Sequence, residues 1–368
     1  MFLPGFIPNR CKKLTELTPN QIKQAIKAEV KNLGFHLSGF TTPEPIGDFN
    51  GYKQWIQAGY NAEMHYLSRA SSLEKRKNPR LVFPPVESIL VLGIPYPAPK
   101  KSEDFSIAAY AQGPDYHDLI PDRLSGFQPW LEGLVGQTVD LRIFTDTAPI
   151  MEKQLAVRAG LGWIGKNGLL INPEYGSFFF LTEIFLGIQL PPDEPFSKGL
   201  CGNCTQCIDN CPTNSILCNR KIDANKCLSY LTIEKKGAFS IEESQFITAS
   251  AFGCDLCQEV CPWNHKRLSN DTVPTLFSSD TTLSSISQED LLTLDEETFR
   301  QRYKKTPISR TKRKGMIRNL LTIIANNGTA DDLKLLSTFL QYEQNENLRM
   351  MANHAQAKIS ERCNINTD

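Results

Sequence analysis

The stretch CGNCTQCIDNCP, residues 201–212, contains four cysteines and ends in a proline. Its spacing, C-x2-C-x2-C-x3-C-P, is the bacterial ferredoxin pattern for ligating iron–sulfur clusters. The stretch FGCDLCQEVCPWN, residues 252–264, repeats the second half of this pattern, and Cys227 lies between the two stretches. Eight thiolates are the number that two [4Fe-4S] clusters need. The sequence therefore predicts a two-cluster, ferredoxin-like domain that carries single electrons.

The fourth cysteine of such a run ligates the other cluster, so we expect two crossed sets of ligands. The outer set is Cys201, Cys204, Cys207 and Cys261, and the inner set is Cys211, Cys227, Cys254 and Cys257. Zinc is the alternative, because paired C-x2-C motifs also form zinc sites, but zinc has no use for the C-x3-C-P tail. Three further cysteines fall outside the pattern and are expected to be plain thiols: Cys11, Cys218 and Cys363.

Composition limits the class of protein. Lys and Arg together number 40, as do Asp and Glu, so any contact with nucleic acid must come from a local basic patch. The sequence lacks the run of about 18 apolar residues that a membrane span needs. The first residues, MFLPGFIPNRCKK, match neither a secretory nor a twin-arginine signal. Eleven cysteines then favour metal or redox chemistry over disulfides. We expect a cytoplasmic, monomeric protein without membrane contact.

Strand and helix patterns alternate over residues 1–190 and predict an α/β domain. ESILVLGIPYP (87–97) and SFFFLTEIFLG (177–187) are typical of buried strands, and Thr18 to Gln21 has the pattern of a helix start. A proline-rich linker opens the ferredoxin-type domain, residues 191–268. Residues 280–368 contain short amphipathic helices that resemble one unit of an α-helical repeat. Because one unit cannot bury its own apolar face, we expect it to pack on the preceding domain.

Weaker signals leave alternatives open. GLGWIG (160–165) matches G-x-G-x-x-G, but a helix precedes it, so close approach to some other large ligand is favoured over a nicotinamide site. Asp146 either caps the helix expected over residues 149–160 or acts as a general acid at a strand-to-helix turn. His117 is expected to be a surface or packing histidine. A dense basic run either contacts phosphates or is a solvated face: Lys304, Lys305, Arg310, Lys312, Arg313, Lys314 and Arg318.

Residues 146–184, 201–216 and 252–264, taken together and in this order, resemble the epoxyqueuosine reductases, and the likeness extends over residues 18–325. This family uses cobalamin and two [4Fe-4S] clusters to reduce epoxyqueuosine to queuosine at the wobble position of tRNAs with a GUN anticodon, the last step of queuosine biosynthesis. The resemblance implies an α+β multidomain fold. Its parts would be a nitroreductase-like α/β sandwich that binds the corrinoid, the two-cluster domain, and HEAT-like C-terminal helices that contact tRNA.

The resemblance also implies roles for individual residues. Asp146 matches the family's proton donor and a cobalamin contact, which favours catalysis over helix capping. Positions that line the cobalamin are matched by Arg76, Ala108, Leu170, Leu181, Ser229, Cys254 and Asp255. For Ala108, Leu170 and Leu181, core packing is equally open. Candidates for tRNA binding are Lys312, Arg313 and Lys314. The chain departs from the family at Pro114, where a basic residue is usual, and in its short C-terminal repeat.

The implied mechanism is a one-electron relay. A reduced protein donor, such as a flavodoxin or ferredoxin, charges the clusters, and the inner cluster reduces cob(II)alamin near Cys254 and Asp255. Asp146 protonates the departing epoxide oxygen, and we expect burial to raise its pKa. The expected substrates are the tRNAs for Asn, Asp, His and Tyr. Two other classes stay open at this point, a corrinoid reductive dehalogenase-like reductase and an electron-carrier iron–sulfur protein; the missing twin-arginine signal and the basic helices count against the dehalogenase.

Overall fold

The computed structural model describes residues 17–99, 102, 104–217, 220–268 and 286–364, so Cys11, Cys218 and the start of the predicted C-terminal segment lie outside the described residues. The strands are β1 Leu37–Thr41, β2 Ser88–Pro95, β3 Ser106–Ile107, β4 Leu141–Phe144, β5 Trp163–Ile164, β6 Leu170–Ile171, β7 Phe179–Leu186 and β8 Ser250–Phe252. The helices of the first 190 residues are α1 Pro19–Asn32, α2 Phe49–Gln57, α3 Ala70–Lys77, α4 Tyr116–Leu124, α5 Phe127–Val135 and α6 Glu152–Arg158.

The helices that follow fall into two groups. Short helices accompany the cysteine motifs: α7 Gln206–Asp209, α8 Leu228–Ile233, α9 Ile241–Ser244, α10 Leu256–Glu259 and α11 Pro262–Leu268. The C-terminal segment is helical, as predicted: α12 Gln288–Thr293, α13 Glu296–Tyr303, α14 Lys312–Asn327, α15 Asp332–Tyr342 and α16 Glu346–Cys363. None of the helices in the described part of the chain is long and apolar enough to cross a membrane.

An antiparallel sheet in the order β1-β2-β7-β4 forms the centre of the first 190 residues. Strands β2 and β7 pair along their full length, with Ser88 opposite Leu186 and Pro95 opposite Phe179. Both faces of the sheet are covered, one by α1, α4 and α5 and the other by α6. The two apolar runs predicted to be buried strands are therefore confirmed, because strands covered on both faces need apolar side chains on both faces.

Two predicted helices show how local sequence sets their starts. Helix α1 begins with a capping box, in which the Gln21 N–H donates to Thr18 Oγ1 at 3.3 Å and the Thr18 N–H donates to Gln21 Oε1 at 2.9 Å. Helix α6 begins at Glu152 rather than at residue 149. The residues before it form a tight turn, in which the Ile150 N–H donates to the Ala148 carbonyl at 2.8 Å. This turn, and not the helix, follows Asp146.

A second hydrophobic core joins all three predicted domains. It contains Phe105 and Ile107 from the first, Leu231 from the cysteine-rich segment, and Met316 and Leu320 from α14. The parallel pair β3–β8 also links the first two parts. Helix α14 packs on α15 and α16 through another face. The helical unit therefore packs on the preceding domain, as predicted. The domain boundaries stay a prediction, and the shared core crosses them.

Candidate active site

The outer cysteines lie together around one cavity. Cys201, Cys204, Cys207 and Cys261 line a cavity of about 300 Å³, beside Trp263. The Trp163 Nε1–H donates to Cys201 Sγ at 3.4 Å, which orients this thiol toward its neighbours. Burial and the three neighbouring thiols raise the pKa of Cys207, as expected when several sulfur atoms share a small space before a metal binds. The structure thus brings the outer set together.

The inner cysteines lie at one end of a larger cavity of about 520 Å³, which all four members of the set line. Burial raises the pKa of Cys254 to about 12 and holds the pKa of Cys257 well above its usual range, and the neighbouring thiols add to both shifts. The charge of Cys207 also acts on Cys257, so the two sets are adjacent. Among the described residues, no group of three His, Cys, Asp or Glu side chains could hold a single metal ion.

The same cavity extends from the inner cysteines to Asp146. Most residues that the resemblance assigned to cobalamin line it: Ala108, Asp146, Leu170, Leu181, Ser229, Cys254 and Asp255. Arg76 does not line it. Its Nη1 donates to the Ile150 carbonyl at 3.0 Å, and its buried Nε has no partner within the described residues. Aromatic rings form part of the wall, as expected for a site that receives a base: Tyr96, Tyr110, Tyr116, Phe179 and Phe180.

These residues fit a corrinoid. The cavity has an apolar wall, which suits the face of a macrocycle, and it touches both a set of cluster ligands and an ionisable group. Asp255 holds the two sides of the cavity together, because its Oδ2 accepts from the Ala109 N–H at 2.6 Å and its Oδ1 from Gln258 Nε2 at 3.0 Å. Ala108 is thereby fixed against the cysteine-rich segment. The resemblance implies that Ala108, Leu170 and Leu181 contact the corrin through backbone or apolar surface.

Asp146 lies in the turn between β4 and α6, as predicted, and its backbone is left-handed, with φ 53°. It does not cap α6, whose N-cap residue, Met151, makes no side-chain capping bond. The Tyr116 hydroxyl donates to Asp146 Oδ2 at 2.9 Å, and the Asp146 N–H donates to Glu152 Oε1 at 2.9 Å. The Asp146 side chain lines the cavity. It is 54% exposed, although neighbouring groups surround it.

The expected direction of the Asp146 pKa shift is wrong. Burial raises this pKa, but the neighbouring His117, the hydrogen bond from Tyr116 and the charge of Arg310 outweigh burial and hold the pKa below its usual range. The distances to Oδ2 are 3.8 Å from His117 Nε2 and 3.9 Å from Arg310 Nη1. Asp146 is therefore a carboxylate in this arrangement, and a proton that passes to the substrate must reach it from a neighbour.

His117, expected to be a surface or packing histidine, is partly buried beside Asp146 and packs on Tyr116. Its Nδ1 lies 2.6 Å from Asp115 Oδ1, and Arg310 Nη2 donates to Nε2 at 2.7 Å. A guanidinium can only donate, so this contact requires the neutral Nδ1–H tautomer. Burial lowers the pKa of His117, but the hydrogen bonds to Asp115 and Asp146 outweigh burial and raise it to about 9. His117 thus takes up a proton when Arg310 leaves Nε2.

Several residues in the cavity or beside Asp146 carry no signal in the linear sequence that points to this site. Tyr116 reaches Asp146 from α4, Arg310 from the turn before α14, and Glu152 and Lys153 from α6. Lys153 lines the cavity and its Nζ donates to the Gly168 carbonyl at 2.6 Å. The one usable signal was the basic run, which includes Arg310. Its contact with Asp146 depends on the packing of the C-terminal helices, which the linear sequence does not specify.

The basic run divides into surface and internal residues. Lys312 and Lys314 line a cavity of about 630 Å³ between α14, α16 and the loop before α9. Arg313 instead pairs with the buried Glu343 at 2.7 Å and donates from Nε to the Leu294 carbonyl at 2.6 Å. Arg318 is also buried and donates to three backbone carbonyls, at Leu231, Lys235 and Gly237. The structure therefore does not support Arg313 as a ligand for phosphate.

The glycine motif serves the fold. Gly160 and Gly162 both have positive φ, of 80° and 158°, and a Cβ at either would collide with backbone carbonyls, at Glu194 and Ile171 respectively. Helix α6 precedes the motif and the hairpin β5–β6 follows it. The expected close approach therefore exists, but it is to the chain itself and not to a large ligand.

Family profiles and relatives agree with this geometry. A profile described as "Epoxyqueuosine reductase QueG, DUF1730" matches residues 76–147, and one described as "4Fe-4S double cluster binding domain" matches residues 200–264. An epoxyqueuosine reductase of Cyclobacterium marinum is 39% identical over 303 residues, which cover 81% of this chain and 95% of the relative. One from Pseudomonas aeruginosa is 37% identical over 317 residues, 84% and 86% of the two chains. The chain belongs to the epoxyqueuosine reductase family.

Solved structures of epoxyqueuosine reductases share the fold. The enzyme of Streptococcus thermophilus matches with a TM-score of 0.83 and 26% identity, over 94% of this chain and 91% of that one. A second, solved with a tRNA-Tyr epoxyqueuosine-modified stem loop, matches with a TM-score of 0.77 and 23% identity, over 93% and 100%. The predicted α+β architecture is thus confirmed. The double-cluster profile also sets the zinc alternative aside, because it assigns two iron–sulfur clusters to the cysteine-rich segment.

Proposed function

We propose that this chain reduces epoxyqueuosine to queuosine at the wobble position of tRNAs with a GUN anticodon. One observation carries the proposal: a single cavity joins four cysteines of the inner set to the carboxylate of Asp146. Such a cavity places an electron source and a proton-handling group on the same bound molecule. The names of the relatives support the choice of epoxyqueuosine as substrate. A pure electron carrier has no use for the second half of this cavity.

Cobalamin is the cofactor that we propose for the cavity. When bound, the clusters and the corrinoid supply single electrons at low potential to the substrate. Leu170 and Leu181 would form an apolar wall against the macrocycle, and Ser229 and Asp255 would supply polar contacts on the side of the inner cysteines. Arg76, the remaining position that the resemblance assigned to cobalamin, does not line this cavity and receives no role in this proposal. These roles follow from chemistry and position in the cavity.

Asp146 and its neighbours handle the proton in this proposal. Tyr116 fixes Oδ2, the left-handed turn presents the carboxylate to the cavity, and His117 is the adjacent group that can carry a proton. Asp146 then delivers to the departing oxygen a proton that it receives from His117. The family's assignment of a proton donor is retained, but the donor is reloaded by a neighbour and is not kept neutral by burial.

Contacts with macromolecules fall on two surfaces. An electron donor, of the flavodoxin or ferredoxin type, would dock at the outer set, where Cys204 is exposed and Leu200 is 39% exposed beside it. The tRNA would contact Lys312 and Lys314, next to Arg310 at the cavity. We further propose that the protein acts in the cytoplasm, where its tRNA substrates occur, and as a monomer.

A direct assay tests the function. The protein is reconstituted with iron, sulfide and cobalamin, reduced, and incubated with tRNA that contains epoxyqueuosine; the nucleosides are then analysed by mass spectrometry. Loss of one oxygen from epoxyqueuosine is the expected result, and Asp146→Asn should abolish it while cobalamin stays on the protein after gel filtration. Retained cobalamin without reduction, together with turnover of a halogenated phenol, would favour a dehalogenase-like reductase. Failure to retain cobalamin would favour an electron carrier.

A further inference from the structure

The proposed reaction needs more protons than Asp146 can supply alone. Conversion of an epoxide to an alkene breaks two C–O bonds and forms one C=C π bond, which consumes two electrons and two protons and releases water. The electrons arrive singly from the reduced protein donor through the iron–sulfur clusters. Asp146 is a carboxylate in the structure and can pass on one proton at a time. A second acid that faces the same cavity would supply the other proton without a second reloading of Asp146, and this inference rests on the proposed function.

Glu152 is placed to be that acid. It is the first residue of α6, it lines the cavity beside Asp146, and its Oε1 accepts the Asp146 N–H at 2.9 Å. The adjacent residue, Lys153, commits its Nζ to the Gly168 carbonyl at 2.6 Å and forms no ion pair within the described residues. Arg76 faces the same region but donates to a backbone carbonyl, Ile150. Neither cation makes a direct ion pair with Glu152.

A further acidic residue, Glu183, lies on β7, the strand on which α6 packs. It occupies the middle of β7, opposite Val91 and Phe144, and it is fully buried. Neither of its carboxyl oxygens has a hydrogen-bond partner within the described residues. An ionised carboxylate in such surroundings is strongly disfavoured, so Glu183 holds its proton. The Asp146 end of the site thus contains three carboxyl groups, of which Asp146 carries the partners that stabilise a negative charge; a fourth, Asp255, lies beside the inner cysteines.

We propose that Glu152 is a second proton donor of this site and that the ionised Asp146 beside it keeps Glu152 protonated. With Asp146 ionised beside it and an apolar strand behind it, Glu152 gains little from losing its proton, because like charges at close range disfavour each other. The pKa values agree with the geometry. Burial and the charge of Asp146 raise the pKa of Glu152 to about 7, and burial, Glu152 and Asp146 raise that of Glu183 well above its usual range.

The proton balance is then complete. One proton reaches the departing oxygen from Asp146, which receives it from His117, and the second comes from Glu152. The product is water, and Glu152 and His117 take up new protons from solvent through the cavity mouth. Turnover requires protonated Glu152, so it should fall as the pH rises through about 7.

Infrared spectroscopy tests the protonation state without reference to activity. The full-length holoenzyme is titrated from pH 5 to pH 9, and difference spectra record the C=O stretch of protonated carboxyl groups. We expect one such band to disappear with a midpoint of about 7. Glu152→Gln should remove this titration, whereas Glu174→Gln, which changes an exposed carboxylate outside the cavity, should not. A titration that survives in Glu152→Gln would overturn the assignment.

Asp146→Asn tests why Glu152 is protonated, because it removes the neighbouring negative charge and should move the Glu152 midpoint in the infrared titration to lower pH. In the wild type, single-turnover reduction should decline as the pH rises through about 7. Glu152→Gln should slow single turnover about a hundredfold and abolish the decline. Wild-type protein that forms no queuosine would contradict the proposed function itself. Active wild-type protein, with Glu152→Gln equally fast and with the same pH dependence, would contradict only the present inference.

Discussion

Arg310 reaches from the C-terminal segment to the active-site carboxylate, with its Nη1 3.9 Å from Asp146 Oδ2. The same guanidinium donates to His117 Nε2 at 2.7 Å. Arg310, which lies next to the proposed tRNA surface, therefore affects the protonation of His117. His117 in turn lies beside Asp146, the proposed proton donor. When a phosphate draws Arg310 away, His117 is free to take up the proton that Asp146 needs.

Removal of the Arg310 charge should therefore raise the pKa of His117. In Arg310→Met, the imidazole loses both a cation and a donor to Nε2, so its pKa should move above about 9. NMR titration of the ring protons measures this shift, and the signal is assigned by its absence in His117→Gln. Arg300→Met is a matched control, because Arg300 lies exposed on α13 and pairs with Glu297. An unchanged His117 titration in Arg310→Met would contradict the coupling.

Loss of the Tyr116 hydroxyl should weaken the hold on the Asp146 carboxylate. Tyr116→Phe removes the 2.9 Å bond that stabilises the charged form, so the pKa of Asp146 should rise. Carbon-detected NMR of the carboxylates follows this titration directly. A general disturbance of α4 could also raise the pKa of Asp146. Such a disturbance would alter the NMR signals of Asp118, which lies on the same helix, so unchanged Asp118 signals exclude it.

Arg313 should contribute to the stability of the fold. Arg313→Met leaves Glu343 buried and unpaired, and we expect a loss of about 3 kcal/mol in the free energy of unfolding, as for other broken buried pairs. Urea denaturation measures this loss. The double variant Arg313→Met, Glu343→Leu should recover much of it, because no unpaired charge then remains. A single variant as stable as the wild type would show that water reaches Glu343.

Replacing Lys312 and Lys314 with alanine should weaken tRNA affinity and reduce its dependence on salt. Removing a lysine that neutralises one phosphate reduces the slope of log K against log salt by about 1. Fluorescence anisotropy of a labelled anticodon stem loop at several salt concentrations gives this slope. Lys334→Ala, on the exposed side of α15, serves as the control and should change neither quantity. An unchanged slope in the double variant would make the two lysines part of a solvated face.

The crossed sharing of cysteines predicts an iron count. Cys261→Ser should lose the outer cluster and Cys211→Ser the inner one, although each residue lies in the sequence motif of the opposite set. Bound iron should fall from about eight to about four atoms per chain in either variant, and electron paramagnetic resonance should distinguish the cluster that remains. Cys363→Ser, which changes an exposed thiol far from both sets, should retain all the iron. Loss of the outer cluster in Cys211→Ser would contradict the crossed arrangement.

Much of this site could be predicted from sequence because its chemistry depends on spacing. The cysteine motifs, the turn that contains Asp146 and the buried strands are local patterns. The Asp146 pKa could not be predicted, because its direction is set by Tyr116, His117 and Arg310, which lie on separate elements. Glu183 shows the same limit: its sequence neighbours describe an ordinary buried strand. Its significance arises only from the absence of hydrogen-bond partners within the described residues.

The division of the eight cysteines also affects how the protein is made. A ribosome releases residues 201–211 well before residue 261, so the first motif emerges with three ligands of one cluster and one ligand of another. With the crossed ligation that we predict, neither cluster can be completed on the nascent chain until the second motif has left the exit tunnel. We therefore expect cluster insertion to be a late event in biosynthesis. A truncated product that ends before residue 254 would carry reactive thiols without a complete site for either cluster.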